Sequence, residues 1–294
     1  MGKASRRKRQ SKGGAKDPAQ ARAPYVARPF EGLPGEPDWV AMREIVPAAS
    51  ADVQVQVAGG EPRQVRLVTV LPGAMPALHR ADGTVMVALQ SRTSSGDASR
   101  DIALALTTAL QTEPGNPVTS VRPATMGTPR IQDLLADGQQ LDVQVHEDFG
   151  FWLDEEKEAS AEVQASLEQT NAAAVPTEKI ADLPSTFWCK MGERAYIRWI
   201  LPDDEDAATA ALARLQAAGE HTLGGDTSML GAFRAAGLLV PVLEVDPGTP
   251  SAEHGPAMVE LAGRYAAALA RTEALTPEER RARDGLVSRQ VTLR

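Results

Sequence analysis

Alternation of apolar and polar residues predicts strands in the first third of the chain. Residues 53–57 alternate valine with glutamine, and residues 65–71 repeat the same period of two beyond the turn signal Gly59-Gly60. Because successive side chains of a strand point to opposite faces, the two segments are predicted to form a hairpin. Residues 84–89 are almost continuously apolar, which is typical of a strand covered on both faces.

A helix is predicted to follow these strands. Ile102, Leu106, Ala109 and Leu110 fall on one helical face, and the pattern stops near Pro114-Gly115. Upstream of the hairpin, Asp38 is expected to cap a short helix. The first half of the chain therefore follows a β-β-β-α order.

The second half repeats this order in part. Residues 141–145 alternate as a strand, residues 149–153 are predicted as its partner, and residues 160–174 form a polar helix. Strand, polar loop and helix in residues 196–217 match residues 84–110 in order and length. Two related β-β-α halves are therefore one interpretation of the chain.

The last third is predicted to be mainly helical. Asp226 is expected to cap a helix that ends at Gly237, and residues 238–245 form a strand in which Pro241 favours an edge position. Residues 258–269 form an amphipathic helix, and Thr276-Pro277-Glu278-Glu279 is a capping box that opens another. The predicted fold class is α+β, with antiparallel sheets, flanking helices and a helical C-terminal end.

Charge separates an N-terminal tail from the body. Residues 1–28 carry nine positive charges against Asp17 alone, a net +8, whereas the whole chain carries −8, so residues 29–294 carry about −16. The tail lacks the apolar side chains that would offset the entropy of folding. We therefore expect a disordered tail at 1–27 and an α+β body at 28–294, with a subdivision into 28–125 and 135–294 as an option.

The tail is the predicted contact site. Clustered positive charges bind phosphate because neutralised phosphates release counterions. RNA or the ribosome is the favoured partner; an acidic protein, the chain's own acidic body, or no partner at all are the alternatives. The predicted contact residues are Lys3, Arg6, Arg7, Lys8, Arg9, Lys12 and Lys16.

Composition limits the surroundings in which the protein works. Cys189 is the single cysteine, so no intramolecular disulfide can form, and a reducing cytoplasm is expected. No apolar run reaches the roughly 20 residues of a membrane span, and no secretory signal follows the basic start. The oligomeric state stays open, although Trp152, Trp188 and Trp199 are candidates for a protein interface.

Familiar catalytic motifs are missing from the sequence. It contains no phosphate-binding loop, dinucleotide-binding glycine pattern or nucleophile elbow, and no cofactor or metal site is predicted. A non-catalytic binding or adaptor protein is therefore favoured. The alternative is an enzyme whose site is assembled from distant residues, with Asp203, Asp204 and His146 as first candidates.

Other polar features have simple structural interpretations. The acidic residues 203–206 precede a helix, where negative charge favours the positive end of the helix dipole, although a divalent cation is an alternative. Cys189 is expected in the core rather than as a reactive thiol beside Lys190. Residues 224–228 are expected to cap a helix rather than to hold an anion. His79, His146, His221 and His254 are expected at the surface or in turns.

A resemblance to a known family is carried by six segments: residues 28–36, 99–101, 129–135, 171–177, 279–283 and 289–293. These segments resemble an actinobacterial family whose function is unknown. The similarity covers about residues 28–294 and implies no activity. Some members carry a SEC-C zinc motif, Cys-x-Cys-x₈-Cys-His/Cys, before the same body, but residues 1–27 contain no cysteine, so the resemblance implies neither a zinc site nor a translocase role here.

Overall fold

Two sheets organise the part of the chain that the computed structural model describes, which is residues 18–288 except 58, 93, 137, 154–159 and 182. The first sheet has the strand order β5-β3-β4-β2-β1-β6, and its pairs are antiparallel except β2 with β4. Its strands are β1 (Ala49–Val55), β2 (Arg63–Val68), β3 (Ala77–His79), β4 (Val85–Ala88), β5 (Asn116–Val118) and β6 (Gln144–Val145).

The second sheet is antiparallel throughout, in the order β10-β11-β9-β8-β7. Its strands are β7 (Thr177–Lys179), β8 (Thr186–Met191), β9 (Arg194–Trp199), β10 (Ser228–Ala235) and β11 (Leu238–Val245). The helices are α1 (Glu36–Glu44), α2 (Ala98–Gln111), α3 (Ala161–Ala173), α4 (Glu205–Ala218), α5 (Gly255–Leu269) and α6 (Pro277–Ser288). The predicted α+β class and helical C-terminal end are confirmed.

Local signals place most of these elements. The β1–β2 hairpin pairs Val53 with Val65, so the valines predicted to face inward do so together. The capping box at α6 forms completely: the Thr276 N–H donates to Glu279 Oε2 (2.8 Å) and the Glu279 N–H to Thr276 Oγ1 (3.2 Å). Each bond satisfies a backbone donor that the first helical turn leaves free.

One apolar core joins the two halves of the chain. Trp39 of α1 and Leu106 of α2 pack in the same cluster as Phe187, Leu238 and Val240 of the second sheet. The opposite face of the second sheet packs against α4 and α5 in a separate cluster. The subdivision into 28–125 and 135–294 therefore separates chain segments that share a core.

Both halves contain a β-β-α unit. β3, β4 and α2 form the first, and β8, β9 and α4 form the second. The strand after the helix differs, because β5 pairs with β3 of its own unit whereas β10, which follows α4, pairs with β11 outside the second unit. The β-β-α order is therefore common to the halves, and the strand that follows the helix is not.

Two element predictions in the second half were wrong. The segment predicted as a helix from Asp226 to Gly237 is strand β10, paired along its length with β11. Residues 149–153, predicted as a strand, contain a short 3-10 helix at Gly150–Trp152. In both segments packing against distant residues outweighed a spacing that suits more than one structure.

Pro241 lies in an interior strand of the second sheet and not in the edge strand that proline favours. β11 lies between β10 and β9. Its pairing with β9 runs over residues 242–245, and Leu239 accepts again from the Leu201 N–H (3.0 Å). Residues two apart in a strand direct their backbone groups to the same side, so Pro241, which has no N–H, leaves the ladder to β9 one bond short.

The cap predicted at Asp38 does not form at the start of α1. Gly35, in the left-handed region with φ 66°, precedes the helix, and Asp38 lies inside it. Asp38 instead accepts a hydrogen bond from Ser185 Oγ (2.8 Å).

None of the helices in the described part of the chain has the length and apolar character that a bilayer crossing requires.

Candidate functional site

Residues 18–29, here called the strap, form an ordered segment that hydrogen-bonds to the loops at residues 94–96 and 124–127. The Ala23 N–H donates to the Ala124 carbonyl (3.2 Å) and the Val26 N–H to the Gly96 carbonyl (2.9 Å), and Ala23 is buried. The predicted disordered tail therefore extended too far at 18–27. A small side chain and regular backbone bonds, rather than large apolar groups, hold this segment in place.

Arg22 attaches the beginning of the strap to a neighbouring loop. Its Nε donates to the Ser95 carbonyl (3.0 Å) and its Nη2 to the Ser94 carbonyl (3.1 Å). Carbonyl oxygens are neutral acceptors, and within the described residues Arg22 has no carboxylate partner. Its positive charge is therefore held in place but not neutralised.

Arg28 joins the end of the strap to both halves of the molecule. Its guanidinium makes two bonds to the Glu36 carboxylate (2.7 and 2.8 Å) and one to the Pro202 carbonyl (3.0 Å). Glu36 is buried, so the pairing satisfies a carboxylate that water hardly reaches. The same hydrogen bond raises the pKa of Arg28 above its usual value.

A polar network beneath the strap uses the segments that carry the family resemblance. Asp97 is 2% exposed and lies between Arg100 Nε (3.3 Å) and Arg130 Nε (3.5 Å). Arg130 Nη2 and Gln132 Nε2 in turn donate to the Pro29 carbonyl (2.8 and 3.0 Å). These polar residues therefore position the strap, which is a structural role.

A crevice of about 400 Å³ lies between the strap and the second sheet. Its charged lining residues are already paired: Arg43 Nε contacts Glu44 Oε1 (3.1 Å), and Arg234 Nε contacts both carboxylate oxygens of Glu205 (2.6 and 2.7 Å). Burial raises the pKa of Glu44, while Arg43 acts against that shift. The crevice offers polar surface with balanced charge.

Tyr25 stands at the rim of this crevice with 81% of its surface exposed. Its backbone lies directly against Gly96, where a Cβ would come within 3.2 Å of the Tyr25 Cα. Gly96 also has a φ of 116°, a region that other residues rarely adopt. The backbone of Tyr25 is thus fixed while its ring faces solvent.

His146 directly follows β6, the strand at one edge of the first sheet. Its Nε2 is 2.8 Å from Ser50 Oγ, and its ring stacks near Phe151 (4.8 Å between centroids). Burial lowers the pKa of His146, the nearby Arg66 adds to that effect, and Asp148 opposes it. Asp52 and Arg66 pair across the strands (2.8 and 3.0 Å) beside a cleft of about 310 Å³.

This Ser–His pair lacks the rest of a nucleophilic site. Ser50 is 5% exposed, and within the described residues no carboxylate hydrogen-bonds to His146. A serine nucleophile needs access to substrate and a base that a third group orients. The pair is consistent with a structural hydrogen bond at the sheet edge.

The acidic residues 203–206 have the structural role that their position predicted. Asp204 caps α4 by accepting from the N–H groups of Asp206 (3.0 Å) and Ala207 (3.2 Å). Asp203 accepts from the Tyr265 hydroxyl (2.8 Å), and burial together with this bond raises the pKa of Tyr265. Among described residues no group of three His, Cys, Asp or Glu side chains could hold a metal ion.

Asp203, Asp204 and His146, the candidates for a composite site, are not joined by their contacts. The two aspartates bond to α4 and α5, whereas His146 contacts Ser50 and Phe151 beside the first sheet. Two of the other histidines, His79 and His254, are buried rather than at the surface. His79 Nδ1 lies 2.6 Å from the Thr112 carbonyl.

Cys189 is fully buried, as its core interpretation predicted, and burial raises the pKa of its thiol although Arg198 acts in the opposite direction. Trp152, Trp188 and Trp199, the candidates for a protein interface, are 4–8% exposed and therefore lie in the cores of the chain. The apolar surface of these three side chains is already buried inside the chain.

Residues 224–228 lead into β10 instead of a helix, so neither the helix cap nor an anion site at a helix start exists there. Thr227 Oγ1 organises this loop, accepting from the Leu223 N–H (3.0 Å) and donating to the Gly224 carbonyl (2.7 Å). The predicted tail contacts Lys3, Arg6, Arg7, Lys8, Arg9, Lys12 and Lys16 lie outside the described residues.

These features define an α+β protein of two mostly antiparallel sheets, with a polar crevice under an N-terminal strap. Residues 29–294 match a family model described as "Family of unknown function (DUF5926)", and the chain belongs to that family. It matches no curated protein and no solved structure. The match begins at Pro29, so most of the strap lies before it.

Proposed function

We propose that this protein is a non-catalytic binding or adaptor protein of the cytoplasm, which contacts RNA, foremost the ribosome, through its basic N-terminal residues. One observation carries the proposal: residues 1–28 have a net charge of +8 while residues 29–294 have about −16. A polyanion attracts the first part and repels the second, so association through the N-terminal end is favoured.

The strap supports this proposal by giving the basic residues a defined point of attachment. Lys16 precedes the described strap by two residues, and the Gly127 N–H donates to the Ala19 carbonyl (2.9 Å) near the strap's beginning. A partner bound by the tail is thereby held close to one side of the body. This arrangement suits an adaptor that brings its body to a charged assembly.

An acidic protein and the chain's own acidic body are the rival partners. Each of them, like RNA, offers the negative charge that the basic residues attract. The catalytic alternative receives less support. Asp203 and Asp204 are engaged in a helix cap and a tyrosine contact, and Ser50 is buried beside His146.

Co-sedimentation with ribosomes tests the proposal. The full chain is compared with a variant in which the seven basic residues at positions 3–16 are replaced by glutamine, which preserves length. We expect full-length binding to weaken with salt at a slope of about −5 in log–log units if all seven charges meet phosphates of unpaired RNA. The glutamine variant should not sediment, and RNase should release the full chain. Salt-insensitive or tail-independent sedimentation would contradict the proposal.

A further inference from the structure

Three chain segments that meet at the strap carry exposed arginines and contain no acidic residue. They are residues 18–29, residues 91–96 apart from 93, and residues 120–129. Elsewhere the body is strongly acidic. An acid-free surface on an acidic body is a local departure from its average charge, and it lies where the basic tail begins.

Hydrogen bonds bring these three segments together. Arg22 bonds to the carbonyls of Ser94 and Ser95, and it also pairs with Thr125 as an isolated β-bridge. Arg92 lies two residues before Ser94, and Arg122 lies three residues before Thr125. Since a residue spans at most about 3.6 Å of chain, Arg92 lies within about 7 Å of Ser94 and Arg122 within about 11 Å of Thr125, the residues that Arg22 contacts.

The charges of these arginines are not neutralised within the described residues. Arg22, Arg92 and Arg122 are exposed and take part in no ion pair there. The neighbouring acids have partners of their own: Asp97 is buried between two other arginines, Glu44 is paired with Arg43, and the buried Asp101 accepts from the Ser95 N–H (2.9 Å). The surface can therefore bind anions without displacing an internal partner.

Tyr25 gives the surface an exposed ring. It is the most exposed large hydrophobic residue of the described chain, at 81%, and its backbone is fixed against Gly96. An exposed aromatic ring together with unpaired arginines is the combination with which proteins bind unpaired nucleic-acid strands, because bases stack on the ring while phosphates contact the cations. An acidic peptide would use the arginines but would have no base for the ring.

We infer that Arg22, Tyr25, Arg92 and Arg122, here called the strap face, bind a short unpaired stretch of RNA, with a base stacked on Tyr25 and flanking phosphates on the arginines. The crevice that opens beside Tyr25 gives the base edge polar surface to contact. This inference rests on the proposed function and adds that the body, not only the tail, contacts the RNA.

Binding by the full chain, with its tail intact, tests the strap face. The probe is a 12-nucleotide oligouridylate, measured by fluorescence anisotropy, and polyphosphate serves as a second anion without bases. We expect Tyr25→Ala to weaken oligouridylate binding about tenfold and Tyr25→Phe to restore it, because stacking needs the ring and not the hydroxyl. Polyphosphate binding should stay the same in both variants.

The arginines have a separate readout. Arg92→Gln with Arg122→Gln should weaken binding of both anions and reduce the salt slope by about 1.4, the value for two phosphates of a single strand. The matched control is Arg63→Gln with Arg194→Gln, which removes two exposed arginines elsewhere on the body. That control should leave binding unchanged.

Crosslinking distinguishes the strap face from the tail. An oligouridylate with one 5-iodouridine should crosslink to Tyr25 on irradiation. Crosslinks confined to residues 1–17, with Tyr25→Ala binding like the wild type, would overturn the strap face and leave the proposed function intact. Loss of binding by the full chain itself would overturn both. An equal effect of Tyr25→Ala on RNA and polyphosphate would overturn the assignment to stacked bases.

Discussion

At the scale of single residues, burial decides what the polar side chains can do. Cys189, His79 and the four tryptophans belong to residue types that are common in reactive sites or interfaces, and the fold removes them from solvent. Tyr25 is the opposite case, because its backbone is fixed while its ring is exposed. Exposure therefore separates candidates that residue type alone treats as equal.

His254 carries a prediction about pH. It is 8% exposed, and burial lowers the pKa of its imidazole although Glu253 and Asp246 act in the opposite direction. In the unfolded chain the pKa returns to about 6.5, so below that pH the unfolded state binds the proton more readily and stability falls with decreasing pH. The stability that neutral His254 contributes is present above this range.

We predict that His254→Gln reduces the loss of stability between about pH 7.5 and about pH 5.5. The measurement is urea unfolding at both values. His146 and His221, whose pKa values are also lowered by burial, remain in the variant and account for the rest of the dependence. An unchanged pH dependence would show that His254 does not contribute.

At the scale of elements, the β10–β11 hairpin meets the strap at its tip. Ala236 and Gly237 form the turn with positive φ values of 43° and 87°. A Cβ at Gly237 would lie 2.7 Å from the Arg28 Cβ and 2.9 Å from the Ala27 carbonyl oxygen. Glycine is therefore needed for close approach as well as for backbone conformation.

Gly237→Ala tests that contact, and Gly83→Ala is its matched control. Gly83 has nearly the same φ, 86°, but no atom within 4 Å of its added Cβ. We expect Gly83→Ala to lower the free energy of unfolding by about 1 kcal/mol, because alanine disfavours this backbone conformation. Gly237→Ala should lower it by about 2 kcal/mol more, because the strap must also shift. Urea unfolding measures both. Equal losses of stability in the two variants would mean that the strap moves away from the added Cβ without an energetic penalty.

At the scale of the whole molecule, Arg28 connects the strap, α1 and the loop before α4. Its bonds to Glu36 and to the Pro202 carbonyl link the two halves at the surface, while the shared core links them inside. The same strap bears Tyr25 and leads to the basic tail. Stability of the strap and binding by its surface are therefore coupled.

Arg28→Ala should destabilise the protein by about 2 kcal/mol, because it leaves the buried Glu36 carboxylate without its cation. Adding Glu36→Gln should recover part of that loss, since a neutral amide is less costly to bury. Urea unfolding gives the energies, and limited proteolysis at residues 18–29 reports on strap attachment. A double variant as unstable as the sum of the single variants would contradict direct coupling.

Strong local periodicity in the sequence was sufficient to predict many of the strands and helices. The β1–β2 hairpin and the helices α2 to α6, with the α6 capping box, follow patterns within one element. β10 was missed because Met229, Leu230 and Phe233 suit a helix as well as a strand, and a terminal Gly237 suits both a helix end and a tight turn. Pairing with β11, which is a tertiary contact, decided between them.

By itself the sequence determined the α+β class, the single buried cysteine and the separation of a basic N-terminal end from an acidic body, since these depend on composition and local order. Only the tertiary structure decided that residues 18–29 form an ordered strap and that Arg22 contacts Ser94, 72 residues away. It also left the Tyr25 ring exposed at the rim of a crevice. The physical reason is that such contacts depend on which distant backbone groups become available together, and no periodicity along the chain records that.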